Sequence, residues 1–352
     1  MAKMSSDASS SHSGSTDRTE ILHFYQSDGL FRDRYRVLKP LGKGGFGITY
    51  LAQDVELPSQ PYCVIKQLHP KTRNQGSLER AKVRFRREAK ALASLGSHSQ
   101  IPRLLDYFTT GGEFYLVQDY IQGQTLAQEV RQRGRQTEAQ VKYFLAEMLP
   151  VVEFIHRNRI IHRDIKPPNI IRSTLDRRLV LIDFGAVRQF LSDLEDGGDH
   201  QVAATQFVGT PGFAPPEQLA LRPCYSSDIY ALGMTCLFLL TGRTPIEFVQ
   251  DPHTGHVRWH QTATVSPHFS NVLDRMLCPS PTDRYPSVDV LARELALEPH
   301  LDSLAQCLHV RRSESSSTAR SDALPLDSYL TPTQREAHAI RQWRNKRLNQ
   351  VS

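Results

Sequence analysis

The sequence predicts an α+β chain of two lobes, a small β-rich N-lobe followed by a larger helical C-lobe. Three observations carry this. Short β-type runs dominate between Tyr35 and Tyr120, and helical periodicity takes over after Gly123. The most apolar stretch, Ile229 to Leu240, is about a dozen residues long where a membrane span needs roughly twenty, so it reads as a buried core helix.

In chain order, residues 1 to about 24 form a Ser-rich, weakly hydrophobic tail, too polar to bury the surface that ordering requires. Strands are expected at Tyr35-Arg-Val-Leu, Gly47-Ile-Thr-Tyr-Leu-Ala, Tyr62-Cys-Val-Ile-Lys, Leu104-Leu-Asp-Tyr-Phe and Phe114-Tyr-Leu-Val-Gln. One helix, from about Ser77 to Leu95, interrupts them. Beyond Gly123, Val141, Phe144, Leu145, Met148, Leu149 and Val152 follow the i, i+3, i+4, i+7 rule. Pro150 falls inside that pattern, where loss of one backbone bond predicts a kink unless the surroundings compensate. Past Leu301, the stretch from Arg311 to Ser328 is polar and Ser-rich, as a linker would be, and Thr333 to Leu348 fits a short basic helix.

Of the 352 residues 39% are hydrophobic, enough for a sizeable core and about two domains. The net charge of +6 comes from basic residues in local clusters. The one from Arg80 to Lys90 suits the solvated faces of a helix, so no nucleic-acid partner is expected. Cys63, Cys224, Cys236, Cys278 and Cys307 are scattered, with no CxxC pair and no metal-ligand spacing. Free thiols in a reducing compartment are expected. With no apolar signal-peptide core and no transmembrane segment, the expected location is cytoplasmic.

Gly42-Lys-Gly44-Gly-Phe-Gly47 lies between two strand-like runs, which suits a β-hairpin over a nucleotide, its glycines letting backbone amides approach phosphate oxygens. A dinucleotide-binding turn would need a helix after Gly47, and a Walker A loop would need lysine where Ile48 stands. Lys66 ends an apolar strand and needs an anion. Glu88 shares a helix face with Ala81, Phe85 and Leu92, and needs a cation. A Lys66–Glu88 pair satisfies both.

The strongest signal is Ile161-His-Arg-Asp-Ile-Lys-Pro-Pro-Asn-Ile-Ile, followed by Leu179-Val-Leu-Ile-Asp-Phe-Gly. Two apolar runs place Asp164, Lys166, Asn169 and Asp183 in loops beside β-structure, where they can converge on a phosphate and its metal ions. Mg²⁺ favours one or two carboxylates with phosphate oxygens and water, which Asp183 and Asn169 fit. Asp164 is then free to accept a hydroxyl proton, and Lys166 to neutralise charge on the transferring group.

On these residues the chain resembles the protein kinase superfamily, and within it the bacterial Ser/Thr kinases of eukaryotic type, from about Tyr35 to about Leu301. The resemblance implies a bilobal protein-kinase-like fold. The expected organisation is a mostly disordered tail at 1–34, a kinase domain at 35–301 (N-lobe about 35–121, C-lobe about 122–301) and a linker with a short basic tail at 302–352. It also implies ATP-dependent transfer of a γ-phosphoryl group to Ser or Thr hydroxyls of protein substrates, with autophosphorylation, in bacterial signalling. ATP and Mg²⁺ are the implied cofactors, Mn²⁺ being an alternative metal.

Roles carry over residue by residue. Leu41, Gly42, Lys43, Gly44, Gly45, Phe46, Gly47, Ile48 and Thr49 resemble the loop covering ATP, with Thr49 in place of the usual valine. Lys66 resembles the lysine on the α- and β-phosphates, and Glu88 its helix partner. The Asp119 carbonyl and Ile121 amide would bind adenine, with Gln118 as gatekeeper and Val64 in place of the usual alanine. Asp164 matches the catalytic base, Lys166 the lysine near the γ-phosphate, and Asn169 and Asp183 the metal ligands. Gly209-Thr-Pro-Gly-Phe-Ala-Pro-Pro-Glu217 resembles the end of the activation segment, with Pro216 added. Glu217 would pair with Arg284, and Asp228 would anchor the catalytic loop from below.

Arg163, beside Asp164, is expected to seek an anion, and a phosphate on the activation segment would supply one. Thr205 is the leading candidate phosphosite, while Thr210 is expected to order the active site. An inactive scaffold of the same fold, a small-molecule phosphotransferase, and tyrosine or dual specificity stay open at this point. Ala337, Ile340 and Trp343 share a helix face amid arginines in the C-terminal tail, a candidate docking element or a plain solvated tail.

Overall fold

The computed structural model describes residues 21, 29–43, 47–68, 75–110, 112–189 and 209–298. Most of the Ser-rich tail, Gly44, Gly45 and Phe46 of the glycine loop, Thr205, Cys307 and the C-terminal linker and basic helix lie outside the described residues.

The N-lobe is a six-stranded antiparallel sheet. Its strands are β1 (Leu30–Phe31), β2 (Tyr35–Lys43), β3 (Gly47–Asp54), β4 (Tyr62–Leu68), β5 (Leu104–Thr110) and β6 (Glu113–Asp119), in the order β1-β2-β3-β4-β6-β5. The five expected strands form with their ends extended by a few residues. Because side chains alternate along a strand, β4 sends Cys63 and Ile65 to one face and Val64 and Lys66 to the other. Cys63 and Ile65 join Phe31, Tyr35, Tyr50, Tyr115 and Val117 in a buried cluster on the outer face. Val64 and Lys66 face the cleft between the lobes.

The fold begins before residue 35. Phe31 is fully buried, β1 pairs with Tyr35 and Arg36, and Ile21 is buried in the same cluster. The local reason is that Leu30 and Phe31 extend the apolar patch of β2 through a tight turn at Arg32 and Asp33, both in left-handed conformation.

Helix α1 (Gln75–Leu95) lays Phe85, Glu88, Ala89 and Leu92 against the sheet. The chain then dips into the C-lobe before returning as β5. The Gln100 carbonyl accepts the Leu181 amide at 2.9 Å, and its side-chain amide donates to the Leu179 carbonyl at 3.0 Å and the Glu147 carbonyl at 3.4 Å.

The C-lobe is built on α2 (Leu126–Arg133), α3 (Glu138–Arg157), α4 (Pro216–Leu219), α5 (Tyr225–Thr241), α6 (Pro267–Met276) and α7 (Val288–Leu297). Thr125 and Thr137 cap α2 and α3 through reciprocal capping boxes with Gln128 and Gln140. Helix α5 is buried on nearly every side, as an all-apolar helix in a soluble core should be. No described helix is long and apolar enough to cross a membrane. Helix α3 runs unbroken through Pro150. Pro150 and Ala146 are both exposed, so the carbonyl that loses its helical donor stands on the solvent side.

Two small ladders carry the loops of interest. β7 (Gly123–Thr125), β9 (Ile170–Ser173) and β10 (Leu179–Leu181) form a three-stranded sheet in the order β10-β9-β7, and β8 (Ile160–Ile161) pairs with β11 (Arg188–Gln189). The loops 162–169 and 182–187 therefore run side by side, tied by the Ile182 amide on the Asn169 carbonyl at 2.8 Å. Strand β7 was not expected from the sequence, since three residues carry too little pattern. Its Gly123 is required by contact: a Cβ there would lie 2.1 Å from the Arg172 carbonyl oxygen.

Candidate active site

A cleft of about 780 Å³ separates the sheet from the C-lobe. Val64 and Leu41 lie on its upper side, Ile171 on its lower side, and Asp119 and Ile121 at its rear edge, with Gln118 buried behind them. Of the glycine loop, Leu41, Gly42, Gly47, Ile48 and Thr49 line the cleft. Gly42 pairs with Thr49 and Lys43 with Ile48, so the described arms of the glycine motif run antiparallel. That volume suits a nucleotide-sized ligand.

Lys66 and Glu88 meet. The ammonium lies 2.5 Å from Glu88 Oε1 and 3.4 Å from Asp183 Oδ1. Burial works to lower the Lys66 pKa, but the Glu88 and Asp183 charges more than offset it and hold the ammonium protonated. The Lys66 charge in turn holds Asp183 below the ordinary carboxylate range, so Asp183 is ionised. Asp183 sits in a left-handed conformation at φ 68°. For a non-glycine residue this costs on the order of 1–3 kcal/mol and persists only where surroundings impose it.

Across the cleft, Asp164, Lys166, Asn169 and Thr210 form one network. The Thr210 hydroxyl donates to Asp164 Oδ1 at 2.8 Å and accepts from Lys166 Nζ at 2.6 Å, while Lys166 also reaches Asp164 Oδ2 at 2.8 Å. Asn169 Nδ2 donates to the Asp164 carbonyl at 2.9 Å and to Oδ2 at 3.0 Å, leaving its side-chain oxygen for another partner. Asn169 is fixed by the short 3₁₀ turn Pro167–Asn169, whose prolines pre-set the backbone and whose missing amides are orphans at a helix start anyway.

Asp228 supports this loop from beneath. Fully buried, it accepts the amides of His162 and Arg163 at 2.9 and 2.8 Å and the His156 Nε2 proton at 2.8 Å. Burial opposes its charge, but these bonds and the nearby histidines win, and its pKa is lowered. His162 accepts the Asp164 amide at Nδ1 and packs edge-on against Phe184, the ring centroids 4.8 Å apart. Burial pushes its pKa down, so the ring is neutral.

The Arg163 guanidinium donates to the Ala186 carbonyl and, at 3.2 Å, to the Val187 carbonyl, which ties the loop of Asp164 to the segment after Asp183. Glu217 and Arg284 pair as expected, bidentately at 2.6 and 3.0 Å, with the arginine side chain 0% exposed. The extra Pro216 fits because α4 starts there: Pro215 is its cap and Pro216 its first residue.

Some contributors escaped the sequence reading. Gln218 donates to the Arg163 carbonyl at 2.7 Å, and Arg103 clamps the Asp119 carboxylate through its amide, Nε and Nη2 at 2.9–3.1 Å. Neither sits in a motif. Arg103 and Asp119 are sixteen positions apart, and only pairing of β5 with β6 brings them together.

The donor set fits a hard divalent ion. Asp183 offers an ionised carboxylate and Asn169 an amide oxygen, and among the described residues no group of three or more His, Cys, Asp or Glu forms a protein-only metal cage. Two oxygen ligands with room for further oxygen donors suit a hard divalent cation.

Comparison with known proteins agrees with this architecture. Residues 35–296 match the family described as "Protein kinase domain". The chain is 50% identical over 275 residues to Serine/threonine-protein kinase B of Synechocystis sp., covering 78% of this chain and 48% of that protein. It is 44% identical over 270 residues to Serine/threonine-protein kinase PknA of Nostoc sp., covering 76% and 48%. Serine/threonine-protein kinase C of Synechocystis sp. is 45% identical over 268 residues, covering 76% and 50%. The chain thus spans about half the length of these relatives. Through this match, and on a fold whose cleft gathers the residues that the resemblance singles out, the chain belongs to the protein kinase family.

Proposed function

We propose that this chain is a serine/threonine protein kinase that transfers the γ-phosphoryl group of ATP to Ser or Thr hydroxyls of protein substrates, with autophosphorylation, in bacterial cytoplasmic signalling. The observation that carries the reading is the Thr210 hydroxyl held between Asp164 Oδ1 and Lys166 Nζ. An aliphatic hydroxyl fits between a proton acceptor and a cation there, which is the arrangement that phosphoryl transfer to serine or threonine needs.

ATP supplies the transferable group, and Mg²⁺, replaceable by Mn²⁺, supplies charge neutralisation when bound. In this reading Leu41 to Thr49 cover the phosphates, and the Asp119 carbonyl and Ile121 amide hold adenine. Lys66, oriented by Glu88, holds phosphate oxygens, and Asn169 and Asp183 hold the metal. Asp164 takes the substrate hydroxyl proton and Lys166 offsets charge on the reacting group. Arg163, Glu217, Asp228 and Arg284 are structural. The kinase domain is read as 35–301 with β1 added, Thr205 as the phosphosite of the activation segment, and 302–352 as a linker and basic tail for a partner.

Purified protein incubated with labelled ATP, Mg²⁺ and a generic protein substrate should yield phosphoserine and phosphothreonine. Asp164→Asn should lower kcat by at least about 10²-fold. Phosphotyrosine alone, or ATP binding without transfer, would defeat the assignment.

A further inference from the structure

A second cavity, of about 470 Å³, opens on the C-lobe beside α2, the α2–α3 connection and the β9–β10 turn. Four arginines and one glutamate line it. The glutamate is spent: Glu129 is buried and takes Arg172 Nε at 2.9 Å, while Arg172 Nη1 reaches the Arg177 carbonyl at 3.5 Å. Arg172 is thus a neutralised floor that joins α2 to the turn.

The rim is different. Arg133, Arg135 and Arg177 are exposed, come from three separate elements, and have no carboxylate in ion-pair contact among the described residues. Arg135 has its stem against Gly242, 3.7 Å from where a Cβ would stand, and Arg177 is set in the turn by its left-handed backbone at φ 64° and its amide on the Ser173 carbonyl at 3.1 Å. Three forked cations therefore surround a concave site whose own anion is already paired. Tyr143, with 65% of its surface exposed, adds an aromatic wall from α3.

Position suggests use. Helix α2 and strand β9 each face both cavities: Gln128 and Ile171 line the active cleft, and their neighbours Glu129 and Arg172 line this one. We infer that the arginine-rimmed cavity is a docking site for an Asp/Glu-rich segment of a protein substrate, held apart from its phosphoacceptor. This rests on the kinase reading for the word substrate. Three rim guanidinia on three elements suit several carboxylates along a peptide better than one compact anion, and the volume admits a few side chains.

The test uses the full chain and a fluorescent peptide of alternating Asp, Glu, Gly and Tyr, read by anisotropy at physiological salt. The triple variant R133E/R135E/R177E should weaken binding by at least about tenfold, and the neutral R133Q/R135Q/R177Q variant by less. Transfer to a generic substrate that lacks acidic runs should be unchanged in both. A control that reverses two distant surface charges, R157E/R293E, should bind like the parent. Equal binding by the parent and the triple variant overturns the site, as does no binding by the parent, and equal weakening in the control reduces it to general charge attraction. A preference for the phosphoserine version of the peptide, with the Asp/Glu version unbound, replaces it with a phosphopeptide site. Loss of transfer in the parent protein, with peptide binding intact, would instead count against the kinase reading alone.

Discussion

Thr210, Asp164 and Lys166 satisfy one another, the threonine hydroxyl donating to Asp164 and accepting from Lys166. Two predictions belong to single residues. His162 is neutral in the fold because burial depresses its pKa below the usual value of about 6.5. The unfolded chain binds a proton there as pH falls through 6.5 while the folded chain resists, so stability is full above that value and declines as pH drops toward the folded pKa. His98, lowered by burial as well, adds to the same window. The melting temperature of His162→Phe should therefore fall less steeply than the parent's between about pH 6.5 and 5, and an unchanged slope would refute this. Arg284→Ala leaves Glu217 without its cation in a largely buried site, and chemical denaturation should show a loss of about 3–5 kcal/mol. Arg284→Lys should recover only part of it, since an ammonium cannot make the fork. The charges of the cleft were legible in the sequence because each motif fixes short spacings. Arg103 and Gln218 were not, because their partners are assembled by strand pairing and by the turn before α5.

Helix α3 shows how an element can override a local rule. The periodic apolar positions Val141 to Val152 are buried as the pattern required, and that packing carries the helix across Pro150. Replacing the exposed Pro150 with alanine restores a backbone donor and removes ring crowding, so it should raise stability by about 1–3 kcal/mol, read as a higher melting temperature. A lower melting temperature would mean that the proline shapes the helix path that the core has adapted to. The long strands of the N-lobe and the helices were legible from period alone. The two- and three-residue strands β1, β7, β8 and β11 were not, since runs so short carry no period, yet β7, β8 and β11 belong to the ladders that hold the loops of Asp164 and Asp183 side by side.

At the level of the whole molecule, two cores organise the fold. One runs from α1 through the C-lobe, and the other lies on the outer face of the sheet, closed by Ile21 and Phe31. A chain beginning at residue 35 loses both side chains, each fully buried, and should be less stable by about 3 to 6 kcal/mol in total. Unfolding of the shortened chain at the parent's midpoint would show that this cover is dispensable. Ile21 and Phe31 fall in the stretch read as tail because the short apolar runs around them, Ile21-Leu22 and Leu30-Phe31, carry too little pattern to mark a core. The contact of Gln100 with the C-lobe has a mechanical consequence. Leu95 lies only five positions before this anchored residue, whereas Glu88 lies about 10 Å farther back along the helix axis. Helix α1 is then a lever with its pivot at the C-terminal end. A small rotation about that end displaces each residue in proportion to its distance from the pivot, so it moves Glu88 relative to Lys66 while Leu95 stays in place.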